Sequence, residues 1–296
     1  MDLSIIIVNW NTEKLLEECL KSIFKHTKEV NFEVIVVDNG STDGSTQMVK
    51  SKFPEVILIK NKVNLGFTKA NNQGIKTAKG DYIALLNSDA YLIENAFKTL
   101  LEAAKSKNDK AVLAPLLLNE NRTIQQSVGF FPNLPQVFLW MSFLDDLPLG
   151  QFFKPYHVDH DSFYRKEREV DWLTGAAMFL PREIISSVGG LNEEIFMYGE
   201  DVEWCFRIKK AGYKIFLCPQ AKIVHIGRGS SKKIPTKAFI GEYQGVKFFY
   251  RQYRGFLALQ IVRFFLKIGA LLRIIVFSIL GRKELAKSYV EAFKVA

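Results

Sequence analysis

Cysteine is scarce in this 296-residue chain, and the three present, Cys19, Cys205 and Cys218, are scattered and odd in number. No CxxC pair and no Cys/His cluster has metal-ligand spacing, so neither a disulfide framework nor a cysteine-bound zinc site is expected. The cysteines read instead as small apolar residues in a reducing compartment. Long hydrophobic runs are missing as well. The run at 3–8 follows Asp2 directly and is too short for a secretory signal, which points to a cytoplasmic protein. No stretch reaches ~18 uncharged residues, so no membrane-spanning helix is expected. Also absent are a GxGxxG after the first strand, a GxxxxGK followed by Ser or Thr, and a GxSxG elbow. Dinucleotide oxidoreductases, P-loop enzymes and serine hydrolases of that type are disfavoured accordingly.

What is present suits a folded chain with a real core. Hydrophobic residues make up 48% and charged residues 24%, which disfavours disorder. The net charge of +9 is concentrated at one end: residues 247–296 hold ten Lys/Arg and two acids, leaving about +1 for everything before them. A neutral body with a basic tail is not the footprint of a nucleic-acid binder.

Over the first 118 residues, short apolar runs alternate with helical patterns. Residues 3–8, 33–38, 56–60, 82–86 and 111–117 read as strands, and 12–25, 45–52, 67–77 and 93–105 as helices. This alternation predicts an α/β fold with a mostly parallel sheet covered on both faces. Polar residues gather just past the strand ends, where open α/β sheets bind ligands. Residues 119–170 are rich in aromatics and proline, including Phe152 and Phe153, and read as an insertion with little regular structure. A strand at 172–180, a helix at 200–211 and strands near 214–217 and 222–225 follow. Residues 238–296 look helical throughout.

Four polar clusters carry the chemistry. Asp38 ends an apolar strand and opens Asp38-Asn39-Gly40-Ser41, where it could accept an N–H from a pyrimidine base; a capped turn explains Ser41 equally well. Asn71 and Asn72 sit one turn inside a helix, against propensity, although a solvated face would explain them. In Asn87-Ser88-Asp89 a strand-end carboxylate could hold a hard divalent cation, since magnesium needs only one or two protein carboxylates; the bland alternative is a helix cap. Trp172-Leu173-Thr174-Gly175 precedes Glu200-Asp201-Val202-Glu203. The helix dipole favours acids there, but three exceed its needs, and one could be a general base.

In order and spacing these segments resemble the GT-A fold of glycosyltransferase family 2, particularly its bacterial rhamnosyltransferase-like members, over roughly residues 2–230. The resemblance implies that Asp38 binds uracil or thymine, that Asn9, Asn11 and Ser41 border the nucleotide, and that Gly66 and Asn72 line the diphosphate and ribose. Asn87, Ser88, Trp172, Thr174, Gly175 and Glu200 complete the nucleotide-sugar site. Asp89 becomes the last residue of a DxD-type motif holding Mg2+ or Mn2+, His225 of the His225–Ser230 stretch approaches the metal, and Asp201 is the catalytic base. The sequence departs from the pattern twice: Asn87 replaces the first Asp, and Asn71 replaces a frequent arginine.

These readings divide the chain into a catalytic domain at 1–235 and a basic amphipathic helical region at 236–296. The function implied is inverting transfer of a rhamnose-like sugar from a dTDP or UDP donor to a lipid-linked or cell-surface glycan acceptor. Arg263, Lys267 and Arg273 fall in one sector of a helical wheel, as in a helix lying on the cytoplasmic membrane face with its cations toward anionic headgroups. A helical homo-oligomer interface is the competing explanation for that helix. For the whole chain the alternatives are a non-catalytic sugar-nucleotide scaffold and a nucleotidyltransferase.

Overall fold

The computed structural model describes residues 1–145, 154–227 and 236–296. Phe152 and Phe153, and Arg228, Gly229 and Ser230 after His225, lie outside the described residues.

Strands β1 (Leu3–Asn9), β2 (Phe32–Asp38), β3 (Ile57–Lys60) and β4 (Tyr82–Asn87) alternate with helices α1 (Glu13–His26), α2 (Ser45–Lys52) and α3 (Phe67–Thr77). Leu3, Ile5, Ile6 and Ile7 are fully buried because helices cover both faces of β1. The pleat sends Ile5 and Ile7 against Leu16, Cys19 and Leu20 of α1, and Ile6 into a second cluster with Ala70 of α3. The four strands are parallel in the order β3-β2-β1-β4. Their register sets Asn9 opposite Asp38 and Val8 opposite Asn87. Polar residues from distant segments therefore share one edge of the sheet.

Beyond β4 the sheet is mixed rather than mostly parallel. Strand β10 (Ala177–Pro181) runs antiparallel between β4 and β6 (Ala111–Leu118). The strand expected at 172–180 is broken by a turn at Gly175-Ala176. Its first part, β9 (Trp172–Leu173), pairs instead with β7 (Val128–Gly129) in a separate ribbon. The two strands expected at 214–225 are one, β11 (Lys214–His225), with a register shift between Cys218 and Lys222. The short strand β5 (Ala90–Leu92) was not foreseen, and it delays α4 (Ala96–Ser106). It pairs antiparallel with β11, setting Ala90 opposite His225. The aromatic insertion contains, besides β7, helix α5 (Leu134–Met141), a 3-10 turn at Asp161–Arg165 and β8 (Arg168–Glu169). Helices α6 (Arg182–Val188) and α7 (Glu200–Lys210) follow β10.

The C-terminal region forms α8 (Thr236–Tyr253), α9 (Phe256–Ile279) and α10 (Lys283–Val295). Tyr243, Val246, Phe249 and Leu266 join the same hydrophobic cluster as the sheet. The expected orientation of α9 is reversed. Arg273 is buried, donating to the carbonyls of Met141 at 2.8 Å and Trp140 at 2.6 Å, with its guanidinium 4.2 Å from the Phe143 ring centroid. Those carbonyls end α5, where the dipole favours a cation and the Trp140 carbonyl otherwise accepts a long N–H contact, at 3.5 Å, from Phe143. Arg263 and Lys267 are half-buried. The face turned outward is apolar: Phe256, Leu257, Phe264, Leu271, Ile275 and Ile279.

Candidate active site

The strand-end residues are tied into one network. The amide of Asn9 donates to Asp38 Oδ2 at 2.9 Å and to Ser41 Oγ at 3.1 Å. Its Oδ1 accepts from Thr12 Oγ at 2.6 Å. Thr12 has spent its proton there, so the 2.8 Å contact with Ser88 runs from Ser88 to Thr12. Asp38 Oδ1 accepts the Ser41 N–H at 3.0 Å. Asn11 donates its N–H to Ser41 Oγ at 2.9 Å, and its Oδ1 accepts from the Thr42 N–H at 2.8 Å. Asn9 and Asp38 are 0% and 2% exposed, so their polar groups shape the wall of this edge from within.

Gly66 and Asn72 serve the opposite loop. Gly66 has φ of +91°, and a Cβ there would lie 2.7 Å from the Phe196 ring and 2.9 Å from its carbonyl. Asn72 makes paired bonds to Leu191, donating to its carbonyl at 2.8 Å and accepting from its N–H at 2.9 Å, and also donates to Glu193. The Asn72 amide anchors the segment leading to the acidic pair. Asn71 is buried and donates to the Phe67 carbonyl at 3.0 Å.

That segment ends at Tyr198 and Gly199, with φ of +70° and +90°, and α7 begins at Glu200. Glu200, Asp201, Trp172, Thr174, Gly175 and Asn87 line a cavity of about 290 Å³. The half-buried Asp201 accepts N–H bonds from Gly175 at 3.2 Å and Val202 at 2.8 Å. Burial raises its carboxyl above the ordinary range, while those bonds favour the charged form. Glu200 is buried, and its Oε2 has no hydrogen-bond partner. Burial, with the charge of Asp201 beside it, pushes Glu200 up to about 8. The two carboxyls titrate as a unit, and burial makes that pair retain a proton near neutral pH. Glu203 is structural: it accepts from Arg207 at 2.8 Å and from the Tyr253 hydroxyl at 2.5 Å.

Asp89 and His225 meet through the β5–β11 pairing, with Asp89 Oδ1 3.3 Å from His225 Nε2. The Asn87 amide lies 3.2 Å from the same nitrogen. Gln125 orients the ring. Its amide nitrogen donates to the His225 carbonyl and to Asn119, which leaves its Oε1 to accept from His225 Nδ1 at 2.6 Å. The Nε2 lone pair is thereby turned toward Asp89 and Asn87. Among the described residues no group of three or more His, Cys, Asp or Glu side chains could hold a metal ion.

The sequence reading missed Gln125, His157 and Glu242. His157 Nε2 lies 2.8 Å from Glu242 Oε1, and both line the cavity with Asp201. The insertion and α8 thus build one wall of the site. A lone acid at the head of a basic tail was the available signal for Glu242. Nothing in local sequence marks Gln125.

The sequence model of glycosyl transferase family 2 matches residues 4–146. Over 258 residues the chain is 26% identical to an N-acetylglucosaminyl-diphospho-decaprenol L-rhamnosyltransferase of Mycobacterium tuberculosis, covering 83% of each protein. In fold it resembles the mannosyltransferase PcManGT of Pyrobaculum calidifontis in complex with GDP-Man and Mn2+, with a TM-score of 0.58, 16% identity, and coverage of 98% of this chain and 85% of that one. It also resembles GalNAc-T7 with UDP, GalNAc and Mn2+, with a TM-score of 0.63 and 16% identity; there 99% of this chain spans 55% of the other. The mixed sheet with helices on both faces is the GT-A fold. Residues 4–146 carry a family 2 glycosyltransferase domain, and along most of its length the chain is similar to a rhamnosyltransferase.

Proposed function

We propose that this chain is an inverting transferase, moving a rhamnose-like sugar from a dTDP or UDP donor to a lipid-linked or cell-surface glycan acceptor. The observation that carries the reading is the placement of Asp201. It is a half-buried carboxylate held by two N–H bonds at the mouth of α7, in a cavity that Asn87 joins to the strand-end edge. One base suffices for an inverting displacement, because the departing diphosphate needs no proton. Asp201 takes the proton of the acceptor hydroxyl as its oxygen attacks the anomeric carbon. The proton that the Glu200–Asp201 pair retains spares the pocket a second negative charge. Asn9, Asn11, Asp38 and Ser41 border the nucleotide, with the buried network holding the loop that frames the base. Gly66, Ser88, Trp172, Thr174 and Gly175 shape the sugar and diphosphate space.

Asp89 and His225 fit a divalent cation: a carboxylate oxygen and a ring nitrogen lie 3.3 Å apart, and Gln125 holds the nitrogen lone pair toward that oxygen. Mg2+ or Mn2+ bound there would offset the charge developing on the nucleoside diphosphate. Asn87 in place of a second carboxylate leaves the site with fewer negative charges.

Residues 1–235 act as the catalytic part and 236–296 as its helical partner. No helix among the described residues is long and apolar enough to cross a membrane. The exposed apolar face of α9 supports peripheral attachment, at the inner leaflet where nucleotide-sugars are available, by insertion of that face rather than by its cations.

The test is transfer to a polyprenyl-diphosphate-linked acceptor from dTDP- and UDP-sugars, with Asp201→Asn alongside. Asp201→Asn should lower kcat by at least a thousandfold and keep dTDP affinity within about threefold. Product with retained anomeric configuration, or turnover within a few-fold of the parent, would refute the assignment.

A further inference from the structure

A second cavity, of about 490 Å³, lies beside the first and shares Met197 and Tyr198 with it. It is framed by the 194–198 loop, α8 and α9. Its charged lining is unbalanced: Lys247, Arg251 and Arg263 face a single acid, Glu194. Lys247 and Arg251 stand one helical turn apart on α8, an arrangement of like charges that destabilises a helix. Arg251 is exposed at the rim, with its guanidinium over the Phe248 ring. Arg251 reaches Glu194 only at 3.9 Å, beyond hydrogen-bond distance. Lys247 donates to the Val295 carbonyl. Arg263 has no hydrogen bond or ion pair among the described residues. Burial, together with Arg263, Lys267 and Arg251, pushes the Lys247 ammonium below its ordinary range.

Two further features narrow the anion. Gly241 and Gly245 let α8 approach the loop so closely that a Cβ at either would lie 2.5 to 2.9 Å from Tyr198 atoms. The cationic cavity is thus fixed against the segment that leads into Asp201. Phe256, Leu259 and Arg263 occupy one face of α9 at helical spacing, and Phe256 is 78% exposed. An anionic head seated on the cations would have its apolar continuation beside Phe256 and the outward face of α9.

We propose that this cavity binds the diphosphate of a polyprenyl-diphosphate-linked acceptor, with the prenyl chain leaving along α9. The proposal rests on the lipid-linked acceptor reading given above. A diphosphate here lies across the Met197–Tyr198 segment from Asp201, so the sugar attached to it enters the first cavity, where Glu242 and His157 form the wall. Arg251 and Arg263 suit a diphosphate because each offers several donors in a planar fork.

The experiment uses the full chain in detergent micelles with EDTA, so that metal-assisted diphosphate binding at the donor site is suppressed. Farnesyl diphosphate is the probe, with farnesol, inorganic pyrophosphate, and phosphatidylcholine vesicles with and without phosphatidylglycerol as further arms. The parent should bind farnesyl diphosphate at least tenfold more tightly than farnesol, with pyrophosphate competing. Arg251→Gln and Arg263→Gln should each weaken it about tenfold and together a hundredfold. Retained dTDP binding with Mg2+ shows that the variants are folded. Farnesyl diphosphate affinity unchanged in the double variant overturns the proposal, even where transfer to a lipid-linked acceptor is observed. So does a loss confined to phosphatidylglycerol vesicles, which would make the cations a headgroup contact. Loss of farnesyl diphosphate binding in the variants supports the cavity even where no transfer is seen, a result that would count against the acceptor reading alone.

Discussion

Replacing Glu200 with Gln removes a proton-binding group while keeping its shape. In the folded chain Glu200 is pushed up to about 8 from an ordinary 4.5. Below 4.5 both folded and unfolded chains hold the proton. Between 4.5 and about 8 the folded chain keeps a proton that the unfolded chain releases, so this group's stabilising contribution is lost as pH rises through that window. At about 1.4 kcal/mol per pH unit the loss amounts to about 4–5 kcal/mol. Gln does not titrate, but it buries an amide where Oε2 has no partner, at a cost of about 1–3 kcal/mol. Glu200→Gln should therefore be less stable than the parent at pH 4.5 and more stable by roughly 1–4 kcal/mol at pH 8.5. Urea unfolding at pH 4.5, 6.5 and 8.5 reads this directly. A difference between the two proteins that stays constant across that range would mean Glu200 is already ionised when folded, and the single-charge description of the acidic pair would fail.

Asp89→Ala should weaken dTDP binding at least tenfold in Mg2+ but less than twofold in EDTA, measured by calorimetry; equal losses would remove Asp89 from the metal site. Asp38→Ala should weaken UDP and dTDP binding while leaving inorganic pyrophosphate affinity unchanged, and normal binding of all nucleotides would end the base-pocket role. Arg273→Ala strips two charge-assisted bonds from the end of α5, each worth about 1.5–3 kcal/mol, so Tm should fall by about 6–15 °C. A change under 2 °C accompanied by lost binding to anionic vesicles would restore the surface reading of that cation.

Much of this protein was legible in its sequence because the signals are local. Short apolar runs bounded by polar turns located β1 to β4, and α2 and α3 fall where periodicity put them. Parallel pairing then makes the strand-end clusters neighbours whatever their separation along the chain. The short elements were not legible. β5 has three residues, too few to show a period, yet it sets Asp89 beside His225. Thr174 and Gly175 sit in an apolar run that reads as one strand until the Gly175 N–H is seen to serve Asp201.

The C-terminal helices divide the two kinds of information most clearly. Helical spacing alone determined that Arg263, Lys267 and Arg273 share a sector and that the tail is basic. Which way the sector faces depends on what lies opposite, and only the tertiary structure decided it. The carbonyls ending α5 need donors, and Arg273 supplies them from within the protein. That pairing buries Arg273 and leaves the apolar side of α9 facing out, while Lys247, Arg251 and Arg263 line a cavity beside the acidic pair. A sequence records which residues lie on one face of a helix; the partner that satisfies a buried charge comes from elsewhere in the chain, and it is that partner that orients the face.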